Sequence, residues 1–306
     1  MIKLERILCP TDFSTESAGA LRYAVALTRA YEATLFLLHC TKTKSESGAS
    51  ESKHFSVETA LRFEQALINH VRVGGLCNLK WKALAIADVQ DVGESIRHQA
   101  RKHRADLIVM GSRRRPHVAA LLGSTAETVC RSAPCPVLIT HPREREWVGL
   151  TMGEIDLQRV LVAHDFSPDS ELALDYGVSL AQQYQTELHL LHVLSSTGRE
   201  EPELAWAGTS GGSAYSFVAQ RLQQAVPKEV FFWCNCVNAV RRGKASEEVL
   251  AYAKEQEIDL ICMGASGSDW TLGKVFGSNV ARVLRQAPCP VLVARPFQAT
   301  EQVTDT

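Results

Sequence analysis

The chain repeats itself. Asp12-Phe13-Ser14 recurs as Asp165-Phe166-Ser167, an offset of 153 residues in a chain of 306. At the same offset Arg6, Leu8, Ser17, Ala20, Leu21, Tyr23, Leu27, Tyr31, Leu35 and His39 recur as Arg159, Leu161, Ser170, Ala173, Leu174, Tyr176, Leu180, Tyr184, Leu188 and His192, and the register persists at Asp106/Asp259 and Gly111/Gly264. Beyond this point the offset becomes 154, pairing Gly123-Ser124 with Gly277-Ser278 and Pro134-Cys135-Pro136 with Pro288-Cys289-Pro290. A period this long marks duplication of a whole domain, whereas a solenoid repeats every few tens of residues. Any fold must therefore be one that a half-chain can adopt alone, twice.

Each half alternates short apolar runs with helical periodicity. In the first, residues 6–9 read as a buried strand. Ser14 reads as a cap, and Ala20, Tyr23, Ala24, Leu27 and Tyr31 as one helical face. A strand over 34–39, a polar loop over 41–53, a helix near 55–73 and a strand near 79–85 follow. A helix near 91–103, a strand over 106–110, a short helix from Ser124 and a strand over 136–140 complete the half. The second half repeats the order from Arg159 to Arg295, with a glycine-rich insertion at 208–213. Such alternation predicts βαβ units, hence a parallel sheet covered by helices on both faces. Residues 141–156 lose the periodicity and read as a linker between domains at 1–140 and 157–298, and 299–306 reads as a polar tail.

The most informative stretch joins the fourth strand of the second half to its last helix. Its glycines are spaced Gly264-x2-Gly267-x9-Gly277-Ser278. Gly264 and Gly267 would let the backbone take positive φ and come close to a ligand, while Gly277-Ser278 would leave bare amides and a hydroxyl at a helix start. A strand emptying into such a turn ahead of a helix N-terminus suits phosphate. A loop that needs glycine only for its turns is the plain alternative.

This pattern, with Ser after the last glycine, resembles the ATP-binding branch of the universal stress protein family, and the resemblance extends over nearly the whole chain. It implies two tandem Rossmann-like domains, each an α/β unit with a five-stranded, mostly parallel sheet. It implies ATP, with or without Mg, as cofactor. Ala163 and Asp165 would line the adenosine pocket, Val193 would meet adenine through its backbone, Gly264 would lie under the ribose, and Met263, which precedes it at the end of the fourth strand, would belong to the same binding site. Gly267, Gly277, Ser278, Asn279 and Val280 would hold the phosphates. Taken singly, Asp165 could instead cap the next helix. His39 and His192, which end apolar runs, read as packed or hydrogen-bonded residues, and Lys244 and Lys274 as exposed lysines near the same edge.

The first half departs from the pattern. Arg114 stands where the second glycine should be, the loop is one residue shorter, and Gln90 stands at the position of Gly243 in the constant register. These changes predict a damaged first pocket and a nucleotide held in the second half, although Asp12, Gly111 and Gly123-Ser124 persist. Residues 113–115 are all arginine, which fits an anion or RNA contact or, more plainly, a solvated basic loop.

Composition narrows the setting. The formal net charge of −1 hides 19 Lys+Arg against 13 Asp+Glu in residues 1–142 (+6) and 14 against 21 in residues 143–306 (−7). Opposite charge could assist docking of the halves, while scattering over solvated faces explains it as simply. The N-terminus enters a strand pattern directly and no run approaches the length of a membrane helix, so a cytoplasmic protein is expected. Nine cysteines, several in apolar runs, suit small core residues in a reducing compartment. Cys234-x-Cys236 lacks a matching ligand pair for zinc.

No phosphate-loop, zinc-protease or nucleophile-elbow motif is present, so no catalytic residue or metal ligand is assigned. Three functions compete: a nucleotide-dependent stress protein working through conformation or a protein partner, an ATP-using enzyme of the adenine-nucleotide α-hydrolase-like group, and an interaction scaffold for protein or RNA. In single-domain relatives of the resembled family the last strand pairs with its copy. Residues 137–140 and 291–295 are accordingly expected to pair within one chain as a pseudo-dimer, open to further homodimerisation. A 16-residue linker reaches at most about 53 Å.

Overall fold

The structure, a computed structural model, describes residues 2–42, 57–68, 79–112, 123–142, 144–149, 154–195, 214–266 and 276–297. The insertion at 208–213 and the tail at 299–306 lie outside the described residues. Two compact units emerge.

The N-terminal unit contains β1 (Arg6–Pro10), α1 (Thr15–Ala30), β2 (Thr34–Lys42), α2 (Val57–Ile68), β3 (Trp81–Val89), α3 (Val92–Lys102), β4 (Leu107–Gly111), α4 (Ser124–Ser132) and β5 (Val137–Thr140). Its strands lie in the order β3-β2-β1-β4-β5, and all described pairings are parallel. The C-terminal unit contains β6 (Arg159–Ala163), α5 (Pro168–Tyr184), β7 (Glu187–Ser195), α6 (Ala214–Ala225), a 3-10 turn (Lys228–Phe232), β8 (Cys236–Gly243), α7 (Ala245–Glu255), β9 (Leu260–Gly264), α8 (Ser278–Gln286) and β10 (Val291–Ala294). Its order, β10-β9-β6-β7-β8, is the same arrangement, again parallel. This is the doubly wound α/β fold. Each chain half winds outward from its first strand in one direction and then the other, leaving a crevice at the carboxyl ends beside β1/β4 and β6/β9.

Sequence explains the central strands directly. β4, β5, β9 and β10 are buried almost throughout because helices cover both sheet faces. The helices start where capping chemistry dictates. Ser14 and Ser167 accept the amides of Ser17 and Ser170, and Pro168 occupies the first turn of α5. Asp91 accepts those of Gly93 and Glu94 at α3. Each such cap contributes about 1 kcal/mol. The repeated aspartates serve the fold: Asp106 accepts the amides of Glu5 and Arg6 at 2.9 and 2.8 Å, and Asp259 those of Gln158 and Arg159 at 3.0 and 2.9 Å. Each ties the start of the fourth strand to that of the first.

The third strand begins and ends later than its sequence pattern suggests, at Trp81–Val89. A register shift between Cys40 and Lys42 accompanies it. The ladders therefore equate Gly243, opposite Ser195, with Val89, opposite Lys42, instead of with Gln90 as a constant offset implies. The described residues of the connecting segment make specific contacts. Trp147 and Val148 are buried, Val148 bridges Ile155, and the Arg145 amide donates to Pro288 O at 2.7 Å within the C-terminal unit.

Candidate functional site

At the carboxyl edge of the N-terminal sheet lies a cavity of about 600 Å³. Its floor is the ends of β1, β2 and β4 (Pro10, Thr11, Asp12, Leu38, Cys40, Met110, Gly111), and the start of α4 (Gly123, Ser124, Thr125, Ala126) closes one side. Val92 and Ile96, one turn apart on α3, supply an apolar wall. This volume suits a small-molecule ligand.

The repeat connects this cavity to the sites expected in the second half. Ala163, Asp165, Val193, Met263 and Gly264 correspond to Pro10, Asp12, Cys40, Met110 and Gly111, and Gly277, Ser278, Asn279 and Val280 to Gly123, Ser124, Thr125 and Ala126. All nine counterparts line the cavity. The tenth predicted residue, Gly267, lies outside the described residues, as do Lys274 and the arginines at 113–115. A pocket thus exists between strand ends and helix start in the half whose motif is altered.

In the C-terminal unit the same elements converge. Ala163 stands opposite Met263 on β9 and Leu191 on β7. Leu191 O accepts the His164 amide at 2.9 Å, so the backbone groups of Leu191 face β6. Val193, two residues on, faces the same way, beyond the end of β6. The backbone of Val193 is thereby turned toward the β6 side of the strand. Gly277 N donates to Ala265 O at 3.2 Å, which fixes the start of α8 against the end of β9. The Gly277 amide is therefore committed and not bare, contrary to the sequence expectation. The amides of Ser278, Asn279 and Val280 precede the first intrahelical donor, Ala281, and the capping glycine has no side chain to satisfy them. Ser278 and Asn279 are exposed, whereas Val280 is buried and offers only backbone.

The glycines act differently from expectation. Gly264 and Gly111 have φ outside the left-handed range. A Cβ on Gly264 would lie 2.7 Å from Asp169 C, and one on Gly111 would lie 2.3 Å from Glu16 O. Close approach of the first helix turn, with Asp169 Oδ2 accepting the Ser266 amide at 3.0 Å, demands these glycines. The left-handed positions fall instead on Phe13 (φ 60°) and Phe166 (φ 61°), in the turn leaving the first strand. Asp12 and Asp165 close those turns: each Oδ1 accepts the backbone amide of Ser14 or Ser167 at 3.1 Å. Asp165 therefore braces the turn ahead of α5 while Ser167 caps the helix itself, and the carboxylate stands at the strand end.

The histidines are structural. His39 and His192 donate Nδ1–H to Thr11 O and His164 O, both at 2.8 Å. His164 accepts the Phe166 amide at Nδ1, at 3.3 Å, as Thr11 Oγ1 accepts that of Phe13 at 3.0 Å. Burial holds the His164 ring neutral, with its pKa pushed down to about 4. Burial also pushes the Cys40 thiol up to about 11, making it an uncharged wall of the cavity. Lys244 is exposed and lies 3.4 Å from Glu247. Among the described residues no group of three or more metal-ligating side chains occurs and no helix is long and apolar enough to cross a membrane. The wall residues Val92 and Ile96 were not singled out from sequence; their i, i+4 spacing was the available signal.

The Universal stress protein family model matches residues 3–141 and 157–295. A universal stress protein of Mycolicibacterium smegmatis is 24% identical over 304 residues, covering 95% of this chain and 97% of that protein. One from Synechocystis sp. is 28% identical over 192 residues, covering 62% of this chain but only 58% of its own length. The crystal structure of a universal stress protein from Archaeoglobus fulgidus superposes with a TM-score of 0.67 at 22% identity, over 96% of this chain and 99% of that one. This last likeness bears on the fold.

Proposed function

The chain belongs to the universal stress protein family, and from that premise we propose that it binds an adenine nucleotide at the carboxyl edge of its sheets and transmits the bound state through conformation or a protein partner. The observation that supports this most is the cavity lined by the counterparts of nine of the ten residues expected to hold ATP. The C-terminal crevice is the better phosphate site. The first turn of α8 contains no acidic residue, whereas α4 carries Glu127 there. A carboxylate beside the positive end of a helix competes with a bound anion. Asp165 and the Val193 backbone are placed for the nucleoside, and Ser278, Asn279 and the Val280 amide for phosphate. The two sheets are proposed to associate through residues 137–140 and 291–295.

Titration of the full chain with Mg·ATP, ADP and AMP in a calorimeter tests the reading. Saturable heat with at least one nucleotide per chain supports it. No heat with any of the three, from protein shown to be ligand-free, rejects it.

A further inference from the structure

A second cavity, of about 550 Å³, lies at the amino edge of the C-terminal sheet, the opposite edge from the crevice described above. Arg159 and Glu187 at the starts of β6 and β7, and Thr186, Asn235 and Asp259 just ahead of β7, β8 and β9, line it. The connecting segment adds Arg145, Glu146 and Asp156. Four carboxylates are thus set against two guanidinium groups. Both arginines also reach Glu257, Arg145 at 3.0 Å and Arg159 at 3.5 Å, so among the described residues the balance of charge is negative. A cleft with such an excess concentrates cations. Among the described residues no three His, Cys, Asp or Glu side chains group to hold a metal ion. Carboxylates spread in this way suit positive charges spread along one molecule.

Thr186 is the second observation. It lines the cavity at 3% exposure, its amide donates to Ala181 O at 3.2 Å, and its carbonyl accepts the Cys234 thiol at 3.3 Å. Its Oγ1 is buried with no hydrogen-bond partner among the described residues, a destabilising arrangement. The duplicated half shows that the fold does not require it. The counterpart, Ala33, is equally buried and donates its amide to Thr28 O at 2.9 Å. Thr34 stands in the place of Glu187. Lys80 stands in that of Asn235, its carbonyl accepting the Leu35 amide as Asn235 O accepts that of Leu188. At this edge the first half therefore has a methyl group for the hydroxyl, a hydroxyl for the carboxylate and an ammonium group for the amide.

We propose that the cavity binds a linear polyamine. Glu187 and Asp156 hold its ammonium groups, and one of its N–H groups donates to Thr186 Oγ1. Asp259 is already committed to the amides of Gln158 and Arg159. Trp233, exposed at the end of the 3-10 turn, lines the same cavity and offers an aromatic surface to a cation. The volume is that of a small-molecule site. This site shares no residue with the carboxyl-edge crevice, so it stands whether or not that crevice holds a nucleotide.

Calorimetric titration of the full-length protein with spermidine tests the proposal, beside Thr186→Ala and Asn235→Lys, which introduce what the first half carries at the same places. Saturable binding to wild type should weaken at least about tenfold in each variant. Wild type that gives no saturable heat overturns the proposal. So does an affinity unchanged in either variant, or one that magnesium ion matches, since that marks a diffuse counter-ion effect. Thermal unfolding checks that each variant folds, and if one does not, the other decides.

Discussion

His164 is where the duplicated halves give the sharpest comparison between residues. Its counterpart Thr11 makes the same bond to the turn amide without an ionisable ring. The buried His164 ring resists protonation, so as pH falls below about 6.5 the unfolded chain takes up the proton first and stability declines, levelling near the folded value of about 4. The contribution is present above pH 6.5 and amounts to at most about 3 kcal/mol. His164→Thr should keep the turn and flatten this acid dependence, as read from urea unfolding at pH 7 and pH 4.5. An unchanged acid loss in the variant would show that other groups govern it. Residue identities of this kind were partly legible in sequence. The Asp-Phe-Ser repeat marked the turn, but the left-handed Phe166 depends on packing against His192 and Arg221, contacts between distant segments.

At the scale of elements, sequence periodicity identified the strands and helices because buried parallel strands are apolar throughout and capped helices announce their starts. It misplaced the third strand and the equivalence of Gly243, since the register shift at Cys40/Lys42 is a property of strand pairing. It attributed Gly264 to ligand approach and did not foresee that close packing of the first helix requires glycine there, as at Gly111. The helix starts can be tested separately from the fold. Asn279→Glu adds a negative charge at the first turn of α8, which should stabilise the helix by about 0.3–1 kcal/mol while weakening ATP binding at least about tenfold, a loss of about 1.4 kcal/mol. Thr125→Glu makes the same change at α4. Thermal unfolding and calorimetry on each variant separate the effects. Equal affinity in both variants and wild type would detach the helix starts from the nucleotide.

For the whole molecule, the duplication was the most legible feature, and its consequence, two sheets of the same order, follows from it. Less legible was the first pocket: Arg114 and the shortened loop suggested altered binding there, and strand ends and helix start line a cavity at that place. The proposed pairing of residues 137–140 with 291–295 predicts that cysteines introduced at facing positions of these segments crosslink within one chain. Bonds formed only between chains would reject it.

Identification and quantification of the small molecules released on denaturing the purified full-length protein, beside the Asn279→Glu variant, tests the central claim most directly. Nucleotide binding at the carboxyl edge predicts an adenine nucleotide released from wild type and reduced in the variant. Protein that releases none, and takes up none when incubated with Mg·ATP before repurification, would contradict it.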